Sequence, residues 1–516
     1  PALDLARVRE TALALGGDLD AVRETVAPMT AGLLRAVALR VAADDFAALA
    51  DLRALHAEAA VADAAYAIPA AGIAVSNGSG RLVLDRGVLQ GSALAGNIGR
   101  STFSGAAFAL QLAPAVTLNR IEGDVDADLP EALALTRRLA GRRGEAALAH
   151  VESLRGRAAG RVEYTTDHGQ SPLTVDVARL RASGRYRGVP FPLEITHGAL
   201  RYSGERLAIR SLSGSVGRSR LQQAAADLTL GARGAVRSAS GTAQLALDEL
   251  YPWLASLEGL RPALRDVSAV SGTALVRVTR LSGPLADPAA LDFEVAAEPQ
   301  RVRANLAALP GPLTIASGTL YATPQSVRLD RVAASFVDAS VGLSGTVEPP
   351  GGAARQVRLE VQQVALGPQA IAWIDQRWGI PAPLMPQAPI ALADVKVEWS
   401  DGAKATQRAQ GAATLAGGAR AEFDLGWRKE ELELRRLAIK DDYSDFDLRL
   451  KWAPPAAAEL GFKGRLAHRT LLRILAAPPA TGTRLEGDFQ AAIHMREPLR
   501  SSATGTLAAE GLDFSR

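Results

Sequence analysis

A six-residue pattern of apolar, polar, apolar, polar, polar and apolar positions recurs along this chain. It reads Val116-Thr117-Leu118-Asn119-Arg120-Ile121, then Leu207-Ala208-Ile209-Arg210-Ser211-Leu212. It returns as Val327-Arg328-Leu329-Asp330-Arg331-Val332 and as Leu432-Glu433-Leu434-Arg435-Arg436-Leu437. The first three positions alternate, which puts two apolar side chains on one face of a strand. Four copies with similar flanking hairpins predict a repeated supersecondary unit rather than one compact core.

The flanks repeat as well. Gly198 to Leu221 lies over Gly318 to Val341 without a gap at an offset of 120, with Gly198/Gly318, Leu200/Leu320 and Ser215/Ser335 identical. Leu425 to Leu450 follows the same plan, with Phe446, Leu448 and Leu450 alternating after the signature.

Helical periodicity interrupts the strands at intervals. Leu3 to Leu15 carries Leu5, Val8, Ala12 and Leu15 on one face, and Asp20 to Val26 predicts a second short helix after Gly16-Gly17. Strands are expected from Val37 onward. A helix is expected from Asp128, where Asp128 and Glu131 match a capping box around Pro130, with a second helical stretch through Ala146 to Leu154. Further helices are expected near Asp248 or Tyr251 to Leu260, from Pro368 to Trp378 before Gly379 and Pro381, and from Arg469 to Ala476. The starts near 128, 248 and 368 share the 120-residue period of the signature. The expected organisation is 1–127, 128–247, 248–366 and 367–467 as helix-plus-β modules, with 468–516 opening another.

Composition narrows the classes. At 516 residues the chain exceeds a single core. A net charge of +3, with basic residues scattered singly, argues against a nucleic-acid binder. All six lysines lie from Lys396 onward. Without cysteine there are no disulfides, thiolate metal sites or thiol nucleophiles. No run of about 18 apolar residues offers a membrane span. The chain opens on Pro1 and closes on Phe514-Ser515-Arg516 in mid-pattern, so both ends read as cuts, with room for a targeting or anchoring segment outside them.

The order of helix, Gly-initiated strand, Gly-Pro-Leu turn, hairpin and signature resembles the AsmA-like proteins of Gram-negative bacteria. The matching residues are Ser271-Gly272-Thr273, Gly283-Pro284-Leu285-Ala286-Asp287-Pro288, Gly318-Thr319-Leu320 and Ser344-Gly345-Thr346, with Leu485-Glu486-Gly487-Asp488 and Glu497-Pro498-Leu499 as a second partial set. The opening Leu3 to Glu10 is similar to the interior of such a protein. The resemblance implies a mainly β fold: an elongated, twisted, antiparallel β-groove with short helices about every 120 residues. It implies a periplasmic protein tethered to the inner membrane by an anchor outside this stretch. Its groove would carry phospholipid acyl chains between the membranes in outer-membrane biogenesis, possible contacts with outer-membrane proteins included, and it would need no cofactor. The alternative is a structural scaffold for outer-membrane assembly, without a ligand groove.

Equivalent positions in the copies, taken with that resemblance, nominate the groove lining. They are Leu82, Leu84, Val116, Leu118, Leu200, Leu207, Ile209, Leu320, Val327, Leu329, Val341, Leu343, Leu432, Leu434, Phe446 and Leu448. Alternation alone fits an ordinary sheet packed on a core equally well.

Catalytic candidates are sparse. His56, His150, His168, His197, His468 and His494 have no metal-ligand spacing, and nucleophile-elbow, P-loop and dinucleotide motifs are missing. Asp124, Asp126 and Asp128 alternate but lack the rest of a calcium loop. Asp441 to Asp447 reads as a solvated hairpin, Asn77-Gly78 as a turn, and Trp373 and Trp378 as packing under their helix. The expectation is a protein without catalysis, metal or nucleic-acid partner.

Overall fold

In the computed structural model the described residues are 3–16, 23, 27–42, 51–68, 72–112, 116–139, 149–166, 173–231, 234–258, 261–287, 290–348, 356–378, 385–400, 407–428, 431–453, 457–478, 482–494 and 496–511. They form a mainly β protein, with 27 strands in an antiparallel sheet that does not close and a few short helices. The chain divides into two compact units. One holds Pro1–Ala243 with Arg280–Leu291, the other Gln244–Thr279 with Asp292–Arg516.

Among the described residues, the helices longer than one turn are α1 (Leu5–Gly16), α2 (Leu129–Leu139), α3 (Leu247–Ser256), α4 (Pro368–Trp378) and α5 (His468–Ile474). Their starts at 5, 129, 247, 368 and 468 give intervals of 124, 118, 121 and 100 residues. Among the described residues, six strands lie between each of α1 to α4 and the next labelled helix, with a single helical turn, Arg261–Leu264, after α3. Within each unit, among the described residues, consecutive strands pair as an antiparallel meander from Met29 to Thr229 and from Asp292 to Glu510, so these connections are local.

Several local expectations need correction. The first long strand is Met29–Val41, eight residues earlier than read from the pattern. Val151 to Leu154 opens the strand Val151–Thr165, not a second helix, because Val151 pairs with Tyr186 in the ladder. The stretch Asp20–Val26 falls almost entirely outside the described residues. Asn77 and Gly78 lie inside the strand Ile73–Asp85 at a bulge, with Asn77 at φ 54°, instead of at a hairpin turn.

The signature is the footprint of a β-bulge. Its third apolar residue stands five positions after the first, an odd offset that would turn it to the opposite face of a regular strand. The pairing shifts by one residue between Ile209 and Leu212, between Leu329 and Val332, and between Leu434 and Leu437. The inserted residue returns the third apolar side chain to the face of the first two. Arg331 takes this place at φ 47°, and its N–H donates to Ser344 Oγ at 2.9 Å.

These three copies occupy the fourth strand after a helix. Val116 to Ile121 does not: it belongs to the sixth strand, Thr117–Asp128, and Val116 lies before that strand begins. The fourth strand there is Val88–Ile98, whose Leu89, Gly91 and Leu94 carry the same shift between Gly91 and Leu94. Glycine at the second apolar position hides this copy from a hydrophobicity pattern.

Helices dock at a recurring place, the turn between the fourth and fifth strands of the preceding repeat. Glu131 of α2 accepts from the Arg100 N–H at 2.8 Å. Asp338 accepts from the N–H groups of Gln369 and Ala370 in α4, both at 2.8 Å. Asp441 accepts from Thr470 Oγ1 of α5 at 2.8 Å, and Thr470 shares a 2.6 Å hydrogen bond with Ser444. The expected capping box at α2 is therefore half-formed. Asp128 Oδ1 accepts from the Glu131 N–H, but the Glu131 carboxylate serves Arg100 instead of returning to Asp128. The acidic hairpin at Asp441 is likewise not simply solvated: Ser444 and Thr470 are buried.

Candidate functional site

In an antiparallel pair, directly opposed residues share a face, so cross-strand partners can be followed from strand to strand. In the unit containing Asp292–Arg516, Ala297 opposes Leu320, which opposes Leu329, then Gly345, Leu359 and Val397. The row continues through Ala409, Leu425, Leu434, Leu450, Leu460, Ala491 and Ala503. It crosses all thirteen strands from Asp292–Leu306 to Ser502–Glu510 without meeting a polar side chain. At about 4.8 Å per strand, this is an apolar track on the order of 60 Å long.

A second row runs parallel to it. Val302, Ile315, Ala334, Val341, Val364 and Leu392 oppose one another in turn, followed by Ala413, Ala421, Ile439, Phe446, Gly464, Gly487 and Leu507. Between the two rows stand Val332, Leu343 and Val361 on one side, and Phe423, Leu437, Leu448, Phe462 and Phe489 on the other. The nominated residues of this unit, Leu320, Val327, Leu329, Val341, Leu343, Leu432, Leu434, Phe446 and Leu448, thus share one face.

The two rows differ in cover. Ala413, Ala421, Ile439, Phe446 and Phe462 are buried in one cluster with Ala419 and with Ile474 of α5, with Leu471 and Leu415 alongside. Leu329, Leu359, Val397, Leu425, Leu434, Leu450 and Leu460 remain only half-buried. One edge of the face is therefore a small closed core, and the strip beside it is left open among the described residues.

The unit containing Pro1–Ala243 has the same sidedness. Leu84, Leu89, Leu110 and Leu118 oppose one another in order. So do Leu82, Gly91, Phe108, Ile121 and Tyr164. Val125, Gly160, Val177, Leu200, Ile209 and Ala226 make a longer row, and Tyr202 opposes Leu207 beside it. Of the nominated residues only Val116 falls off these rows. Leu118 sits at the end of its row and is 36% exposed.

The reverse face is charged, with opposite signs as neighbours. Arg358, Glu398 and Arg408 oppose in sequence, as do Glu433, Lys451 and Glu459. Arg408 holds Asp424 through two contacts of 2.9 and 2.7 Å, and its donated hydrogen bond keeps the Asp424 carboxyl below the usual carboxylate range. In the unit containing Pro1–Ala243, the Asp124, Asp126 and Asp128 alternation is likewise taken up by ion pairs. Asp126 pairs with Arg157 at 2.8 Å and Asp128 with Arg100 at 2.9 Å, while Arg161 bonds Glu122 at 2.7 Å and lowers its carboxyl pKa. Cross-strand ion pairs of this kind contribute little stability each but penalise slipped registers.

The histidines are dispersed. His56 lies 3.2 Å from Asp85 and 3.3 Å from Glu58, His150 packs by Tyr186, His468 opens α5, and His197 and His494 lie on strands; His168 is outside the described residues. Among the described residues, no three His, Asp or Glu groups gather as a metal site. Trp373 packs edge-on against Phe336 at 5.5 Å; the Trp378 side chain is outside the described set. No helix among the described residues is long and apolar enough to cross a membrane.

A row of tryptophans ends the apolar alternation of three strands and aligns only across the sheet. Trp399 opposes Gln407, which opposes Trp427, then Leu432 and Trp452. This row borders the open strip on the side away from α5. Its signal in the sequence is a tryptophan near one end of every second strand, legible only with the register known.

No family model, curated protein or solved structure matches the chain.

Proposed function

We propose that this protein shields the acyl chains of phospholipids on its one-sided apolar face. The observation that carries the reading is the unbroken row from Ala297 to Ala503, half-buried from Leu329 to Leu460 beside a closed edge. Each methylene kept out of water is worth about 0.8 kcal/mol, so one acyl chain needs on the order of 10 kcal/mol of lining. Aliphatic residues and Ala offer area without directional bonds, which suits a ligand that slides along the row. A sheet serving only as a scaffold would gain by covering this strip.

The resemblance to AsmA-like proteins adds the setting: a periplasmic conduit tethered to the inner membrane, non-enzymatic, supporting outer-membrane biogenesis. Native mass spectrometry of the purified chain tests the lipid reading. Co-purifying phospholipid, displaced by detergent and restored by vesicle exchange, is the expected result. A chain that neither retains nor takes up phospholipid is a scaffold, and the conduit reading fails.

A further inference from the structure

Like charges meet on the face of the Pro1–Ala243 unit that lies away from its apolar rows. In the strands Val151–Thr165 and Leu173–Tyr186, Gly156, Ala158 and Gly160 oppose Ala182, Leu180 and Val177 on the apolar side. The alternate positions carry Arg155, Arg157 and Ala159, which oppose Ser183, Arg181 and Arg179, and Glu152 opposes Arg185. Arg157 therefore stands directly across from Arg181, an arrangement that weakens a ladder unless it is compensated. The same unit does compensate another such pair. Glu122 opposes Glu163, Arg120 reaches the two at 3.1 and 4.0 Å, and Arg161 bonds Glu122 at 2.7 Å.

The arginines receive much less. Arg157 holds Asp126 at 2.8 Å. Arg155, Arg179, Arg181 and Arg185 are exposed and form no ion pair or hydrogen bond among the described residues. The nearby acids are engaged elsewhere, Asp128 by Arg100, Asp176 by Arg210 and Glu152 by Arg187. Glu194, opposite Ser183, is the acid left unpaired beside them among the described residues. In sequence these arginines stand singly. The register gathers them into a patch that runs on the order of 20 Å along the second strand, from Arg179 to Arg185.

What accompanies the patch selects its partner. The next strand, Val189–Ser203, adds Glu194, His197 and Ala199 on this side. Among the described residues, this side of the three strands bears no Phe, Tyr or Trp and no Val, Ile or Leu. A protein partner would need apolar side chains for the core of its interface. A nucleic acid would need rings to stack on, or an element to enter a groove. A bilayer surface needs neither, because anionic head groups are attracted by charge alone and a guanidinium binds phosphate in a bidentate fork.

We propose that Arg155, Arg157, Arg179, Arg181 and Arg185 dock this unit on the anionic head groups of a phospholipid bilayer. The apolar rows of the unit lie on its other face and stay clear of the docked surface. The docking is carried by charge and is independent of whether the apolar face takes up lipid.

The full chain is floated with vesicles of phosphatidylglycerol and phosphatidylcholine in equal parts, and with vesicles of phosphatidylcholine alone. Binding to the first that weakens steeply with added salt is expected, with little binding to the second. Arg155→Gln/Arg179→Gln/Arg181→Gln/Arg185→Gln should weaken binding by about fivefold per arginine, roughly several hundredfold in all. Its thermal melt should hold, since these side chains have no partner to lose. The milder Arg179→Gln/Arg181→Gln should lose about 25-fold. Lys440→Gln/Lys451→Gln/Lys463→Gln/Arg484→Gln removes the same charge from the other unit and should keep binding within about fivefold of the native chain. Equal binding to both vesicles, or undiminished binding by the arginine variants, overturns the proposal. Equal losses in the arginine and control variants show net charge rather than the patch at work, and overturn it too. A lowered melt of the milder variant makes these arginines structural. Tighter binding to an oligonucleotide or to polyglutamate than to the vesicles, lost in the same variants, overturns the bilayer as the partner.

Discussion

Leu329 and Leu434 lie on one row of cross-strand neighbours, with five strands between them and only Gly345, Leu359, Val397, Ala409 and Leu425 in the intervening positions. They are the second apolar residues of two signature copies. What links them is register alone, since 105 residues separate them in sequence. The face they share is the candidate site, and its openness can be tested at either residue.

Replacing Leu329 with Arg distinguishes an open strip from a filled core. Leu329 is half-buried, and a long side chain there can carry its charge to the edge of the face. The expected cost is about 1 kcal/mol, with loss of lipid binding; in a filled core the unpaired charge would cost several kcal/mol. Thermal unfolding of Leu329→Arg decides, and a collapse of the melting temperature removes the open-strip reading.

The α5 anchor should be sensitive to a single hydroxyl. Thr470 is fully buried and bonds Asp441 and Ser444. Thr470→Val keeps the shape but leaves Asp441 and Ser444 without their partner, which should destabilise by about 1–3 kcal/mol. Thr470→Ser should recover most of that. Urea unfolding measures both; equal stability of the two variants would show the network to be dispensable.

Gly464 opposes Phe446 across the strands Asp445–Ala453 and Ala457–Ala467. It adopts φ +118°, and a Cβ there would lie 2.2 Å from the Asp445 carbonyl oxygen. Gly464→Ala should cost more than about 1 kcal/mol, because both the backbone conformation and the strand spacing resist it. A Cβ added at Gly482 would meet nothing within 4 Å, so Gly482→Ala is the control, expected to be near neutral. The difference in melting temperature between the two variants checks this.

Acid should loosen the charged face. Asp424, Glu122, Glu131 and Glu486 all have carboxyl pKa values lowered in the folded state, the first two mainly by side-chain hydrogen bonds from Arg408 and Arg161. A lowered folded pKa gives stability that is present above the unfolded carboxylate value of about 4 and lost as pH falls through the folded value. Stability should therefore be level above about pH 5 and decline below about pH 4, with only a small contribution from each of these exposed pairs. Arg408→Gln should flatten part of that decline, and an unchanged acid profile would show that the Arg408–Asp424 pair adds nothing.

The sequence by itself determined the β class, the helix spacing and the signature, because these depend on side-chain periodicity along a single strand or helix. Pro368 to Trp378 was legible to the residue, since Pro368 at the first turn and the spacing of Ile371 and Ile374 are local signals. The tertiary structure decided what adjacency decides. The Val116 copy matches in letters but lies in the wrong strand, while Val88–Ile98 escapes the pattern because Gly91 stands where an apolar residue is sought. The bulge, the helix anchors at Asp338 and Asp441, and the alignment of Trp399, Trp427 and Trp452 all depend on which residues face each other across strands. A linear pattern carries the period of a strand but not its register, and a one-residue shift in register moves every side chain to the other face.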